Sequence, residues 1–337
     1  MTTIRDIARL AKVSIATVSR ALNNDVKVRQ ETALKIKNIA AELRFVPSNA
    51  ARSLITRRTE TIGVLLPDLH GEFFSELIRG IDQAARGKAF HLLVSSSHGD
   101  MHEAEAAIKA MAGRVDGLLV MSPHLNSEFL TSKLPLGLPA VLMNTRIADS
   151  SLPSFIVDNY GGSYSMVRHL VGQGHKNIAM IAGPEKNFEA QERLSGYRDA
   201  LKDFVPKAKP QVWIGDFTEE SGWKVGAQVI SMRVRPDAIF AANDMMAIGC
   251  LSTLTDAGLK VPNDIALVGY DDIPTSRFIS PPLTTVRVRI AEMGSLAFQC
   301  LVSKIEEPQM PKSDEIVMPH ILRTELVIRS SCGGKIR

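Results

Sequence analysis

Polar and aromatic side chains with binding chemistry recur at one kind of place in this chain, just beyond short apolar runs. After the run Ile62–Leu66 come Asp68, His70, Phe73 and Phe74. Beyond later runs come Ser122, Pro123 and His124, then Asn144 and Arg146, then Asp158. Arg193 follows, past Gly183-Pro184, and then Phe217, Asn243-Asp244 and Asp271-Asp272. This set suits a polyhydroxylated ligand. A carboxylate accepts from two neighbouring hydroxyls, Arg and Asn donate back, and an aromatic face covers the apolar side of a sugar ring. The polar members also have a purely structural reading. Asn243 and Asp244 suit a helix cap, and Asp271 or Asp272 a turn.

Other chemistry is poorly supported. His98 and His102 lie four apart near Asp100 and Glu103, a spacing that can hold a metal. The stretch reads instead as a solvated polar loop entering a helix, so no metal ligand is expected there. G-x-S-x-G, P-loop and H-E-x-x-H patterns are absent, and Gly63 to Gly71 is not a dinucleotide fingerprint. No nucleophile stands beside a base at a recognisable spacing. The expectation is a protein without enzyme activity, cofactor or metal.

The elements that must position these residues alternate. Ile62–Leu66, His91–Ser95, Gly117–Met121 and Ala140–Met143 read as buried strands, with helical patterns such as Phe73–Arg86 and His102–Ala112 between them. Ile178–Ile181, Gln211–Ile214, Ala238–Ala241 and Ile265–Val268 form a second set. Buried strands alternating with helices predict parallel sheets covered on both faces. Two sets predict two similar lobes, with ligands at the carboxyl ends of the strands.

Charge separates the first sixty residues from the rest. They hold twelve Lys and Arg against five Asp and Glu, while the remainder is slightly acidic. A basic head on an acidic body points to a polyanion, or to no more than a solvated basic face. No apolar run reaches the roughly 18 residues of a membrane span. The polar stretch Met1 to Leu10 lacks a signal-peptide core, so a cytoplasmic protein is expected. Cys250, Cys300 and Cys332 are far apart, which argues against a disulfide framework or a clustered zinc site.

The head carries three short helical patterns. Thr3 suits the first cap, and Ile4, Ile7, Ala8 and Ala11 share one stripe. Lys12-Val13 makes a turn and Ser14 caps a second helix, with Val18, Ala21 and Leu22 inward. Ile36, Ile39, Ala40 and Leu43 brace both from a third. Two short helices around a tight turn make a helix-turn-helix. The outer face of the second helix suits a major groove. Arg20 can hold a guanine bidentately, Ile15 and Ala16 can touch thymine methyls, and Ser14, Thr17 and Ser19 suit phosphates. An ordinary three-helix bundle is the competing reading.

The run Ile4-Arg5-Asp6-Ile7-Ala8-Arg9-Leu10-Ala11-Lys12-Val13-Ser14-Ile15-Ala16-Thr17-Val18-Ser19-Arg20-Ala21-Leu22-Asn23 resembles the head of the lactose/galactose repressor (LacI/GalR) family. The similarity continues along nearly the whole chain. Lys12 stands where the family often has Gly, and a left-handed residue there costs roughly 1 kcal/mol. The segment Pro47 to Leu54 resembles the family's hinge helix. The resemblance implies that Arg52 and Leu54 meet DNA, Leu54 as a minor-groove wedge.

That resemblance implies an all-α helix-turn-helix head, residues 1–46, a hinge and linker, 47–59, and a two-lobed α/β body with a periplasmic-binding-protein-like fold, 60–337. Lobe 1 is expected at about 60–158 and 290–320, and lobe 2 at about 160–287 and 323–330. Arg193, Asp271, Asn243 and Phe217 match the family's effector-binding positions, and Phe73-Phe74 its aromatic pair. Gly71-Glu72 replaces the Asn-Pro of many sugar-responsive members. Asn23 joins the implied DNA contacts, and Asn144, Arg146 and Asp158 the implied effector contacts. The implied protein is a homodimer on a palindromic operator, controlled by a small molecule between the lobes, with a sugar as the default inducer. Co-repression by purines, as in some relatives, is the alternative. A solute-binding protein and a sugar- or nucleotide-processing enzyme are the competing classes. Ser330–Arg337 lacks leucine heptads, so no tetramer through a C-terminal coiled coil is expected.

Overall fold

A computed structural model describes residues 3–22, 25–45, 58–122, 127–145, 151–307 and 317–333. The chain divides into two units, Met1–Thr59 and Glu60–Arg337.

The first unit contains α1 (Ile4–Ala11), α2 (Ile15–Leu22) and α3 (Gln30–Glu42). Ile7, Ala8 and Ala11 meet Val18, Ala21, Ile36 and Ala40 in one small core. Leu22, Ile39 and Leu43, expected inward, are half-buried at its rim. The Asp6 carboxylate accepts from the Thr3 amide at 2.9 Å and the Thr3 hydroxyl at 2.8 Å, fastening the first turn. Lys12 ends α1 in the left-handed conformation, at φ 58° and ψ 44°. A side chain there carries about 1 kcal/mol of strain, and the tight turn requires it. Ser14 Oγ accepts from Thr17 N at 3.1 Å, the expected cap of α2.

The second unit begins with β1 (Thr61–Leu66), α4 (Glu72–Arg86), β2 (His91–Ser96), α5 (Met101–Met111), β3 (Gly117–Val120), α6 (Ser127–Lys133), β4 (Ala140–Met143) and β5 (Ser154–Val157). It continues with α7 (Asn159–Gly172), β6 (Ile178–Ala182), α8 (Phe188–Phe204), β7 (Gln211–Ile214), α9 (Glu219–Ser231), β8 (Ala238–Ala241), α10 (Asp244–Asp256) and β9 (Ala266–Asp271). A 3-10 turn, Pro274–Arg277, leads to β10 (Thr284–Arg287), α11 (Ile290–Glu306), β11 (His320–Leu322) and β12 (Glu325–Val327).

These strands form two sheets, ordered β11-β5-β4-β3-β1-β2 and β12-β10-β9-β8-β6-β7. All pairings are parallel except β10 with β12. The chain passes between the sheets after β5, β10 and β11. The short β5, β10, β11 and β12 sit at these passages and were not anticipated as strands. Helices cover both faces of each sheet, which explains the unbroken apolar runs: β3, β4 and β8 are buried at every residue. The order reverses at β1 in the first sheet and at β6 in the second, so their carboxyl ends open crevices. Strand β9 runs on to Asp271, past the expected end at Val268. Asp271 therefore closes a strand rather than following one.

Among the described residues, no helix is long and apolar enough to cross a membrane. Cys250 and Cys332 are buried, Cys300 is half-buried, and none forms a disulfide.

Candidate functional site

Between the carboxyl ends of the two sheets lies a cleft of about 270 Å³. Ligand sites run from roughly 300 to 1,000 Å³, so this one suits a single small ring. Phe73, Phe74, Arg193, Phe217, Asn243 and Asp271 all line it, together with Asp68 and His70. Phe73 and Phe74 meet edge to face, with ring centroids 5.5 Å apart. They form an apolar wall on the side of the first sheet.

Arg193 is the pivot. It projects from α8, is 3% exposed, and carries a charge that burial alone would expel. Its partners hold it. Nε donates to Asn159 Oδ1 at 2.8 Å, Nη1 donates to the Ala242 carbonyl, and Nη2 lies 3.1 Å from Asp271 Oδ1. Its guanidinium carbon sits 3.9 Å from the Tyr270 ring centroid and 5.9 Å from that of Phe217. Burial opposes the guanidinium charge, but Asp271, Tyr270 and Glu189 outweigh it and hold the group above its usual pKa. Burial pushes the Asp271 carboxyl up to about 6, against the pull of Arg193.

Two lining residues on the side of the second sheet sit in sparsely populated backbone conformations. Phe217 has φ 71° and Asp271 has φ 106°, each costing on the order of 1–3 kcal/mol. Asp244 helps hold the second. It is fully buried, accepts from Ile273 N at 2.9 Å and from Thr285 Oγ1 at 2.6 Å, and so ties down the loop behind Asp271. Burial raises its carboxyl well above the ordinary range, so it serves the scaffold.

Asn243 is spent on structure as well. Its carbonyl accepts from Met246 N at 2.9 Å, capping α10, and its amide donates to the Phe217 carbonyl at 2.8 Å. The capping reading therefore holds, and the residue forms a wall of the cleft with both ends engaged. Helix α10 packs on α9 so closely that a Cβ on Gly249 would lie 1.9 Å from the Glu219 carbonyl oxygen.

Several expected contacts fall elsewhere. Asp158 is not in the lining; its carboxylate caps α7, accepting from Gly161 N at 2.8 Å. Asn144 is also outside the lining, buried at φ 43° after β4 with neither amide atom partnered among the described residues. Ser122 is buried, its amide donating to Thr145 Oγ1. Asp272 turns away into a cluster with Arg287 at 2.7 Å and Arg329. Arg146, Pro123, His124, Asn23 and the segment with Arg52 and Leu54 lie outside the described residues. His98 is exposed in a polar loop entering a helix, as expected. It borders the cleft, in a left-handed turn at φ 46°, while Asp100 caps α5 through His102 N and Glu103 N.

Sequence reasoning did not single out Asn187, Glu189, Asp216, Thr218 or Met245, all in the lining. Glu189 had a signal, standing four residues before Arg193 on one helix face. Asn187 caps α8 by accepting from Ala190 N.

In the first unit, Ile15, Ala16 and Arg20 lie along the outer face of α2. Ile15 is 46% exposed, and Ala16 and Arg20 are exposed too. Thr17 and Ser19 are half-buried beside them. An exposed isoleucine, short hydroxyls and an arginine on one helix face are side chains that a major groove can take.

A helix-turn-helix unit together with a two-lobed body holding a small-molecule cleft defines a ligand-responsive DNA-binding regulator. Residues 3–48 match the bacterial regulatory proteins of the lacI family, and residues 167–332 match the periplasmic binding protein-like domain. The Escherichia coli K12 ribose operon repressor is 36% identical over 92% of this chain and 95% of its own length. The Klebsiella pneumoniae transcriptional repressor PurR is 33% identical over 97% of both chains. A crystal structure of the Lac repressor dimer bound to operator and the anti-inducer ONPF superposes with a TM-score of 0.83 at 29% identity, covering 98% of this chain and 99% of that one. The chain belongs to the LacI family of bacterial regulatory proteins.

Proposed function

We propose that this protein is a cytoplasmic transcriptional repressor without catalytic activity, binding a palindromic operator as a homodimer and controlled by a sugar in the interlobe cleft. In this reading residues 1–46 form the DNA-binding head, 47–59 the connection, and 60–337 the effector-binding and dimer-forming body. Ser14, Ile15, Ala16, Thr17, Ser19 and Arg20 face DNA. Phe73, Phe74, Arg193, Phe217, Asn243 and Asp271 surround the effector.

The observation that carries the reading is the buried Arg193–Asp271 ion pair at 3.1 Å beneath an aromatic wall. A buried charge pair is costly and stabilises a fold poorly against apolar alternatives. Open to a cleft, it offers a ligand both a donor array and a carboxylate. The ligand's differential contacts with the two lobes would shift their closure, and coupling to DNA must then be reciprocal. The ribose operon repressor and the operator-bound Lac repressor dimer support repression, dimerisation and the sugar class by likeness. A thermal-shift screen of sugars and nucleobases, followed by a gel shift on the gene's own upstream DNA, tests it. A sugar that raises Tm and releases DNA supports the reading. Stabilisation by nucleobases alone, with tighter DNA binding, replaces the sugar inducer by a co-repressor.

A further inference from the structure

The inner cleft sets two buried carboxylates beside one guanidinium. Each Arg193 nitrogen makes one contact to a protein oxygen, which leaves two of its five N–H groups, and the Asn243 amide is engaged at both ends. Two carboxylates flank that arginine. One is Asp271. The other is Glu189, from the first turn of α8, 7% exposed and 3.9 Å from Arg193 Nη2. Glu189 Oε1 has no hydrogen-bond donor among the described residues, nor has Asp271 Oδ1 an aligned one. Asp68 and Asp216 add negative charge at the rim, against His70 and His98.

An acidic residue in a helix's first turn often serves only to complement the helix dipole. That service needs no burial, and a surface carboxylate would perform it at no desolvation cost. A buried carboxylate oxygen without a donor costs free energy until something supplies one.

We propose that Glu189 is an effector-specificity residue: its carboxylate accepts a hydroxyl of the bound ligand, and with Asp271 it selects uncharged, hydroxyl-rich sugars over their phosphate esters. This deepens the sugar reading above and rests on it. A phosphate brought here would face two carboxylates and a single guanidinium already paired with Asp271. A hydroxyl supplies the donor that Glu189 Oε1 lacks without adding charge.

The groups facing Glu189 are Arg193 on its own helix, Asn159 on α7, and Asp271 and Tyr270 on β9. Burial pushes the Glu189 carboxyl up to about 7; Arg193 opposes the rise, Asp271 adds to it, and a hydrogen bond from the Asn159 side chain opposes it further. A ligand hydroxyl donating to Glu189 favours its ionised form, so binding near neutral pH releases a proton to solvent.

The test is calorimetric titration of the full chain with D-ribose, D-glucose and D-galactose and with the phosphate ester of each. Titrations run in two buffers of different ionisation enthalpy, on the wild type and Glu189→Gln. The expected result is that a free sugar binds at least tenfold more tightly than its phosphate, with proton release. Glu189→Gln then weakens the sugar about tenfold and abolishes the release. A phosphate ester binding as tightly as its parent sugar overturns the proposal while leaving a sugar effector in place. So does a Glu189→Gln variant with unchanged affinity and proton release. If hypoxanthine or guanine binds and no sugar or ester does, the sugar reading fails and this selectivity with it.

Discussion

Glu72, at the start of α4, reaches across the cleft to Thr275. One carboxylate oxygen accepts from Thr275 N at 2.9 Å and the other from the Thr275 hydroxyl. The two residues belong to different lobes, so the carboxylate clasps the lobes together. His70 and Glu219, 3.5 Å apart, make a second and more exposed link of the same kind. Gly71-Glu72 had signalled only a departure from the Asn-Pro of many sugar-responsive family members. The structure gives it a role in closure.

A hydrogen bond to a charged group contributes about 1.5–3 kcal/mol when partly buried. Glu72→Ala should therefore shift the chain towards open lobes. The expected effect is a roughly tenfold loss of sugar affinity and a larger radius of gyration by small-angle scattering without ligand. An unchanged radius and affinity would remove the clasp from the account.

Phe217 depends on a glycine. A Cβ on Gly183 would lie 2.3 Å from the Phe217 ring. Gly183→Ala should push that ring out of the cleft. Because Phe217 is only half-buried, it can turn away at little cost to the fold. Calorimetry should show at least tenfold weaker effector binding while Tm moves by no more than a few degrees. A large fall in Tm with normal affinity would contradict this.

The two cleft carboxylates set a pH dependence whose sign is fixed. Burial raises Glu189 from 4.5 to about 7 and Asp271 from 3.8 to about 6. Between the ordinary and the raised values, the folded chain binds more protons than the unfolded one. Their contribution to stability is complete below about pH 4 and is lost as pH rises through 6 and 7. Glu189→Gln should raise Tm of the ligand-free protein at pH 8, leave it nearly unchanged at pH 4, and flatten the decline between. A residue that lowers stability while strengthening binding is what a functional site requires. A Tm loss at pH 8 would give Glu189 a structural role instead.

In the head, Arg20→Ala should relax base preference at one operator position, at a cost of about 1–3 kcal/mol on the preferred sequence. Competition binding against a panel of operator variants checks it. Equal losses on every sequence would make Arg20 a phosphate contact.

Much of this arrangement was legible in the sequence because it rests on local rules. Thr3 and Asp6, the Ser14 cap and the apolar strand runs each follow from short spacing. Arg193 and Asp271 both line the cleft, though nothing local brings residue 193 to residue 271. Glu189 was not singled out, because its spacing to Arg193 is visible but its burial depends on where α8 points. Asp158 and Asn243 carry residue types that serve caps and ligands equally, and the fold spends both on caps. His98 reaches the cleft through a left-handed turn that its polar neighbours do not announce. The strands at the lobe passages mix polar residues such as Thr284, Thr285, His320 and Glu325 with apolar ones, so no unbroken apolar run marks them.

The most direct test of effector control is operator affinity measured with the cleft empty and with it saturated. Binding of the full chain to its own upstream palindromic DNA should weaken at least tenfold when a sugar that raises Tm is present in excess. Asp271→Asn should bind the DNA and lose that response. Operator affinity unchanged by a saturating ligand in the wild type would contradict the account.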